Sequence, residues 1–453
     1  MKKNLIQKYN VPGPRYTSYP TVPYWDDSTF TADNWKQTVL RSFDESNDTQ
    51  GVSIYIHLPF CEKLCTFCAC HKRITKQHDV EEPYVEALLN EWKMYRNLLG
   101  QVKIKELHLG GGTPTFFSPD NLEKLLTHIF STAMIDNNAE FSFEGHPNNT
   151  TRQHLETLYQ LGFRRVSFGV QDYDDRVQQA INRVQPFENV ARVSHEAREI
   201  GYTSVSHDLI FGLPFQTWES VCNTIEKTKL LMPDRIAFYS YAHVPWIKGV
   251  GQRKFDEHDL PSAELKRLIY ENSKLKFGEY GYTEIGMDHF SLNSDSLYTA
   301  MLNGKLHRNF MGYTSSHTRL MIGLGMSAIS DSWYAFAQND KTVEGYMQQV
   351  NEGILPVFRG HLLTEEDLVI RKHILDIMCN FETCLDNNKL SSDEINAIEK
   401  RLEEMCNDDL ITMTDGHIQV TEAGRPFVRN IAMAFDLRLL RYQPDTRIFS
   451  MTI

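Results

Sequence analysis

The chain has 453 residues, 41% hydrophobic and 23% charged, with 47 Lys and Arg against 59 Asp and Glu. That composition excludes disordered and collagen-like chains, and no apolar run reaches the roughly 18 residues of a membrane span. The net charge of −12 argues against nucleic acid as partner, and an anionic ligand must be met by a locally basic pocket.

The start, MKKNLIQKYN, is basic but lacks an apolar stretch and a small-residue cleavage site. The expectation is a cytoplasmic protein. Residues 11–20, VPGPRYTSYP, hold too many prolines for a helix and too many aromatics for a free linker. They read as a segment laid over another surface, followed by helix up to about residue 50.

From residue 51 a rhythm begins. Strand-like runs occur at 52–58, 104–110, 139–144, 164–169, 203–209 and 235–242, with helical patterns at 81–98, 119–131, 151–161, 187–200 and 216–232. Ser118-Pro119-Asp120 opens one helix and Gly162 closes another. Alternating strands and helices give βαβ units and a parallel sheet, here an open or partial barrel. A helix is expected at 261–278, and 303–318 reads as loop. Helices at 364–380 and 391–408 and an Asp415-Gly416 hairpin suggest a winged-helix-like C-terminal domain. The division is 1–50 as N-terminal extension, 51–300 as barrel, 301–362 as connecting segment and 363–453 as helical domain.

Four of the eight cysteines, Cys61, Cys65, Cys68 and Cys70, follow the first predicted strand. The scattered four, Cys222, Cys379, Cys384 and Cys406, read as small hydrophobes in a reducing compartment. A structural zinc site usually takes two separated pairs, whereas compact cysteine runs are typical of iron–sulfur ligation. Three thiolates on a four-iron cube leave one iron open as a Lewis acid. Zinc and a plain electron-transfer cluster remain the alternatives.

Other polar candidates also sit at strand ends. Gly110-Gly111-Gly112-Thr113-Pro114-Thr115 follows the second strand and Glu144 ends the third. Gln171 follows the fourth, Asp208 lies on the fifth, and Tyr241-Ala242-His243 ends the sixth. Parallel barrels build active sites on that face. Each residue alone reads as readily as a cap or a core polar group. The glycines alone make only a tight turn; beside the cysteine loop they suggest amides turned to a ligand carboxylate.

The C-x3-C-x2-C spacing resembles the radical S-adenosylmethionine (SAM) enzymes. Taken with Gly13–Thr21 (GPRYTSYPT), Tyr55–Cys61 (YIHLPFC), Gly110–Thr115, Gly169-Val170-Gln171-Asp172, Asp208–Pro214 (DLIFGLP), Tyr241-Ala242-His243 and His307-Arg308-Asn309-Phe310, the chain resembles the oxygen-independent coproporphyrinogen III dehydrogenase (oxidase) family over almost its whole length. The resemblance implies an α/β fold, a partial (β/α)6 radical-SAM barrel with an N-terminal extension and a mainly helical C-terminal domain. It implies anaerobic oxidative decarboxylation of two propionates of coproporphyrinogen III to vinyl groups, giving protoporphyrinogen IX in heme biosynthesis.

It further implies one [4Fe–4S] cluster on Cys61, Cys65 and Cys68, with Cys70 not a ligand, and two SAM molecules. The first meets Tyr55, Gly111, Glu144 and Ile329; the second meets Phe67, Gly112, Thr113, Gln171, Arg183, Asp208 and Ala242. Tyr55, Glu144 and Arg15 are the expected catalytic residues. Arg15 would meet a propionate from a segment folded across the barrel mouth, where Tyr16 and Tyr19 supply apolar faces and hydroxyls; the plainer reading makes it an anchoring ion pair. The expected partners are the tetrapyrrole and a reductant such as a flavodoxin-type donor, for a monomer with neither nucleic acid nor membrane span. A heme-binding chaperone related to the family is the rival; such relatives lack the 13–21 segment. The chain departs from the family at Gly145-His146-Pro147, His207, Met311 and Ser315-Ser316-His317.

Overall fold

The computed structural model describes residues 3–245, 252, 255–385, 389–444, 446 and 448–452. Six parallel strands carry the barrel: β1 (Val52–Leu58), β2 (Lys103–Gly111), β3 (Met134–Gly145), β4 (Arg165–Gln171), β5 (Ser204–Phe211) and β6 (Arg235–Ser240). The β1 run VSIYIHL is buried on both faces, as a strand covered by helices on one side and a lumen on the other must be. The intervening helices begin where polar caps allow. Ser118 Oγ accepts the Asn121 N–H with Pro119 in the first turn, and Thr151 and Thr217 form capping boxes.

The sheet runs further than the rhythm implies. Antiparallel β7 (Tyr282–Gly286) and β8 (His289–Leu292) extend it beyond β6. A two-stranded hairpin follows, β9 (His307–Asn309) with β10 (Gly312–Thr314). Then come β11 (Leu320–Leu324), β12 (Ile329–Asp331), β13 (Ala335–Asn339) and β14 (Val357–Leu362). Strand β11 pairs parallel to β1, Tyr55 opposite Gly323, and β12 to β14 continue antiparallel. Among the described residues the sheet has twelve strands, in the order β14-β13-β12-β11-β1-β2-β3-β4-β5-β6-β8-β7.

The loop expected at 303–318 is corrected by β9 and β10. Three-residue strands carry no alternation to read, and this pair is fixed by tertiary contacts: Tyr313 donates to Met378 O at 2.7 Å and Thr314 to Glu106 at 2.8 Å.

The C-terminal helices Glu365–Asn380 and Ser392–Asn407 flank the strand Glu382–Cys384, which joins the expected hairpin, Ile411–Thr414 with His417–Val420, in a three-stranded sheet. Trp35 and Val39 of the helix Ala32–Ser46 join the barrel core. Tyr9, Tyr16 and Tyr19 join the core of the C-terminal helices. Among the described residues no helix is long and apolar enough to cross a membrane.

Candidate active site

The cysteine loop leaves β1 through Pro59. Phe60–Cys61 pairs with Arg73–Ile74 to close its base. The chain at 180–182 pins its outer side: Thr66 donates to Ala180 O at 3.0 Å, and Asn182 to Leu64 O at 2.7 Å. All four thiols are free of disulfides. Arg183 Nη1 lies 3.7 Å from Cys65 Sγ, and Thr113 Oγ1 lies 3.2 Å from Cys61 Sγ.

The glycine turn locks onto this loop. The Gly112 N–H donates to Leu58 O and the Thr113 N–H to Phe60 O, at 2.9 and 3.0 Å. A Cβ on Gly112 would stand 2.5 Å from the Pro59 carbonyl carbon, and one on Gly111, at φ +107°, 2.6 Å from the His57 ring. Glycine is needed here for close approach of two backbones. The expectation that these amides face a ligand is therefore corrected. Those of Gly112 and Thr113 serve the cysteine loop, and that of Gly111 meets the Glu144 carboxylate.

Glu144 ends β3 with its side chain 48% exposed to the barrel mouth, and its Oε1 lies 3.5 Å from His108 Nε2. Partial desolvation by the surrounding barrel opposes its ionisation, but the bonds from His108 and the Gly111 N–H hold the carboxyl below the usual range. Ser142 Oγ is 2.8 Å from His108 Nδ1, and the imidazole stacks on Tyr55 at 6.1 Å and 16°. The Tyr55 hydroxyl is 3.1 Å from His57 Nδ1, while His57 Nε2 is 2.9 Å from His71 O. Burial takes His57 down to about 4, so it is neutral: it accepts from Tyr55 and donates to His71.

Across the mouth, Asp208 accepts from Ser167 Oγ at 2.7 Å. Burial pushes its carboxyl up to about 7 against that bond. Arg183 Nη2 donates to Gly169 O at 2.6 Å, and its buried Nε has no hydrogen-bond partner. That open donor suits a carboxylate arriving from the cavity.

One cavity of about 370 Å³ joins most of the expected residues: Cys61, Cys65, Phe67, Cys68, Cys70, Gly111, Gly112, Thr113, Glu144, Gln171, Arg183 and Asp208. Tyr55, Ala242, Ile329 and Arg15 are not on its wall. Tyr55 lies behind Gly110, next to Glu144. Ile329 opens β12, its carbonyl over Gly323, which pairs with Tyr55. Ala242 connects to Phe67 through Gln252, whose Nε2 donates to both carbonyls at 3.0 and 3.2 Å.

Among the described residues no three Cys, His, Asp or Glu side chains close on a common point. The four thiols line the cavity of about 370 Å³, which leaves room for a cluster larger than a single ion.

Sequence reasoning missed His57 and His108. His57 stands inside the YIHLPFC motif without a role assigned to it and His108 lies just before the glycine turn; only the alternation of β1 and β2 hinted at their inward direction. Of the departures, His146 lines the cavity, accepting from the Asn148 N–H at 3.2 Å. His207 is buried against Ser194. Met311 reaches the lumen below Glu144 and Asp208. The His317 ring lies 4.3 Å from that of His307, tilted by 40°.

The N-terminal segment behaves differently from expectation. Tyr16 and Tyr19 are each 2% exposed, and Tyr16 donates to Asp436 at 2.9 Å. Their rings fill the C-terminal core instead of lining the mouth, because burial there removes more apolar surface from water. Arg15 reaches the end of β6, donating to Ser240 O at 2.7 Å and pairing with Asp288 at 3.4 Å.

The radical SAM superfamily profile matches residues 55–228. The chain is 38% identical over 456 residues to an oxygen-independent coproporphyrinogen III oxidase of Escherichia coli, covering 99% of this chain and 98% of that one. It is 38% identical over 445 residues to the protein of the same name in Helicobacter pylori, 96% of each. The fold is similar to the solved E. coli coproporphyrinogen III oxidase, described as a radical SAM enzyme: TM-score 0.87, 38% identity, 93% of this chain and 97% of that chain.

Proposed function

This chain belongs to the oxygen-independent coproporphyrinogen III oxidases of the radical SAM superfamily, and from that premise we propose how its residues share the work. It is an oxidoreductase of heme biosynthesis that converts two propionates of coproporphyrinogen III to vinyl groups, giving protoporphyrinogen IX. Each conversion removes one hydrogen atom from the propionate β-carbon and one electron, breaks the bond to the carboxylate carbon and releases carbon dioxide. A [4Fe–4S] cluster and SAM come with the family; when bound, they supply the deoxyadenosyl radical that takes the hydrogen atom.

Cys61, Cys65 and Cys68 hold the cluster in this proposal, leaving one iron open, and Cys70 stays free. Glu144, kept ionised by His108, accepts ribose hydroxyls or the ammonium of the first SAM. Tyr55, Gly111 and Ile329 complete that pocket. A second SAM lies among Phe67, Gly112, Thr113, Gln171, Arg183, Asp208 and Ala242. There the unpartnered Arg183 Nε binds a carboxylate and Asp208 an ammonium. The first fifty residues cover the site, and Arg15 meets the substrate. The protein works as a cytoplasmic monomer served by a flavodoxin-type reductant.

The observation that supports this most is the shared cavity, where the cysteine loop, the glycine turn, Glu144, Arg183 and Asp208 converge at the C-terminal ends of β1 to β5. The test is anaerobic incubation of the reconstituted protein with coproporphyrinogen III, SAM and a reductant. Two carbon dioxides per tetrapyrrole and the divinyl product are expected. Stoichiometric heme binding with no turnover would overturn the reading.

A further inference from the structure

Three guanidinium groups from distant parts of the chain gather near one carboxylate, Asp288, in the turn between β7 and β8. Arg15 pairs with it directly, at 3.4 Å, and the charges of Arg429 and Arg308 also act on it. Arg308, from the β9–β10 hairpin, donates to Arg15 O at 3.3 Å and lies over the Tyr313 ring at 4.6 Å. Arg429, from the C-terminal helix Val428–Phe435, donates to the carbonyls of Gly13, Pro14 and Met451. Arg308, Arg429 and Asp288 are 5%, 6% and 8% exposed.

The charges do not balance. The nearby acids are engaged elsewhere: Glu284 with Lys274, Glu271 with Arg267 and Glu422 with Arg425. Among the described residues Asp288 is the acid that pairs with Arg15, and the charges of Arg429 and Arg308 bear on it as well. Burial lowers Arg429 to about 9, with Arg15 and Arg308 adding to it. Arg308 has two buried donors, Nε and Nη1, with no acceptor. Uncompensated buried charge and orphaned guanidinium donors are costly, and a folded protein keeps them where an anion completes the set.

The place is suited to one. A cavity of about 50 Å³ opens beside Ser240, Asp288 and Arg429, with Lys266, Arg267 and Arg425 also on its wall and Arg15 reaching its edge through Ser240 and Asp288; it has room for a carboxylate head and a water but not for a ring. Tyr239 lines the lumen with Asp208 and Glu144, and the charges of Asp208, Arg308, Asp288 and Glu144 all act on it. Arg308 stands over Tyr313, whose ring lines the same lumen, so the cluster flanks the reaction chamber. Asp288 itself, held in a left-handed conformation at φ 64°, shows that Arg15 accepts a carboxylate here.

We propose that Arg15, Arg308 and Arg429 around Asp288 form a carboxylate-recognition site that takes one propionate of the tetrapyrrole. This rests on the functional reading above. It assigns the N-terminal segment, the hairpin and the C-terminal helix a shared purpose: each delivers one guanidinium. A fork of N–H donors suits a carboxylate bidentately, which a lysine cannot match.

The test measures anaerobic binding of coproporphyrin III, with four carboxylates, and of its tetramethyl ester to the reconstituted holoenzyme. Tryptophan fluorescence is the readout, so turnover is not needed. Arg308→Gln is expected to weaken the free acid about tenfold or more and leave the ester unchanged, with Arg308→Lys in between. Asp288→Asn, which removes the competing carboxylate, is expected to bind the free acid more tightly than wild type. Equal losses for acid and ester, no loss in Arg308→Gln, or weaker binding in Asp288→Asn would each overturn the site. Acid-selective binding in a wild type that never decarboxylates would leave the site standing and fault the functional reading instead.

Discussion

Glu144 and His108 stand 3.5 Å apart, carboxylate oxygen to ring nitrogen, at the mouth of the barrel. The same imidazole stacks on Tyr55, so one side chain orients two residues assigned to SAM. His108→Ala is expected to weaken SAM binding by no more than about fivefold, because a pair exposed on one side contributes about 0.2–1 kcal/mol. The sign of the pH effect follows. Glu144 has a depressed pKa, so its charge is present above that pKa and lost as pH falls through it. Without His108 the acid limb of SAM binding moves to higher pH. Calorimetric titration of SAM from pH 4 to 8 checks this; an unmoved limb would refute the role.

Cys61→Ser, Cys65→Ser and Cys68→Ser are each expected to bring bound iron and sulfide close to zero. Cys70→Ser is expected to retain the wild-type content. Cys70 lines the same cavity, so position alone does not separate it from the other three. Iron and sulfide analysis after anaerobic reconstitution decides, and equal loss in all four variants contradicts the division.

Gly112→Ala drives a methyl group to 2.5 Å from the Pro59 carbonyl carbon. Backbone cannot yield as a flexible side chain does, so the expected cost is about 1–3 kcal/mol, taken up by displacing the cysteine loop. Thermal melting with iron analysis should show a lower Tm and poorer cluster retention. Gly110→Ala, whose nearest neighbour is the Tyr55 ring at 3.1 Å, is expected to be milder.

Asp208 is pushed up to about 7, chiefly by burial, above the usual carboxylate value near 3.9. An acid with a raised pKa in the folded state loses stability as pH climbs from its unfolded pKa to its folded one. Asp208→Asn should therefore stabilise the SAM-free protein most above pH 7, with the gain vanishing towards pH 4. Melting curves at pH 4.5, 6 and 8 test it; a gain independent of pH would show that Asp208 is already ionised.

The barrel was legible because strands such as β1 and helices such as Glu81–Leu99 bury long apolar runs and stop at Ser, Thr, Pro or Gly. The cysteine loop was legible because chemistry forces ligands close in sequence. What escaped was set by tertiary contact. The β9–β10 hairpin is three residues a side, and Tyr16 and Tyr19 look like mouth residues until the C-terminal core they fill is known. The glycine amides were assigned to a ligand because their nearer partners, Leu58 and Phe60 carbonyls, lie fifty residues earlier. Arg308 and Arg429 were not singled out as site residues, since neither the HRNF motif nor the C-terminal helix shows that they meet at Asp288.

The most direct measurement follows the hydrogen atom. Coproporphyrinogen III deuterated at the propionate β-carbons is incubated anaerobically with the reconstituted protein, SAM and a reductant, and the deoxyadenosine and tetrapyrrole are analysed by mass spectrometry. Deuterium appearing in deoxyadenosine, alongside two vinyl groups per tetrapyrrole, is the predicted result. Divinyl product with deoxyadenosine free of deuterium would contradict it.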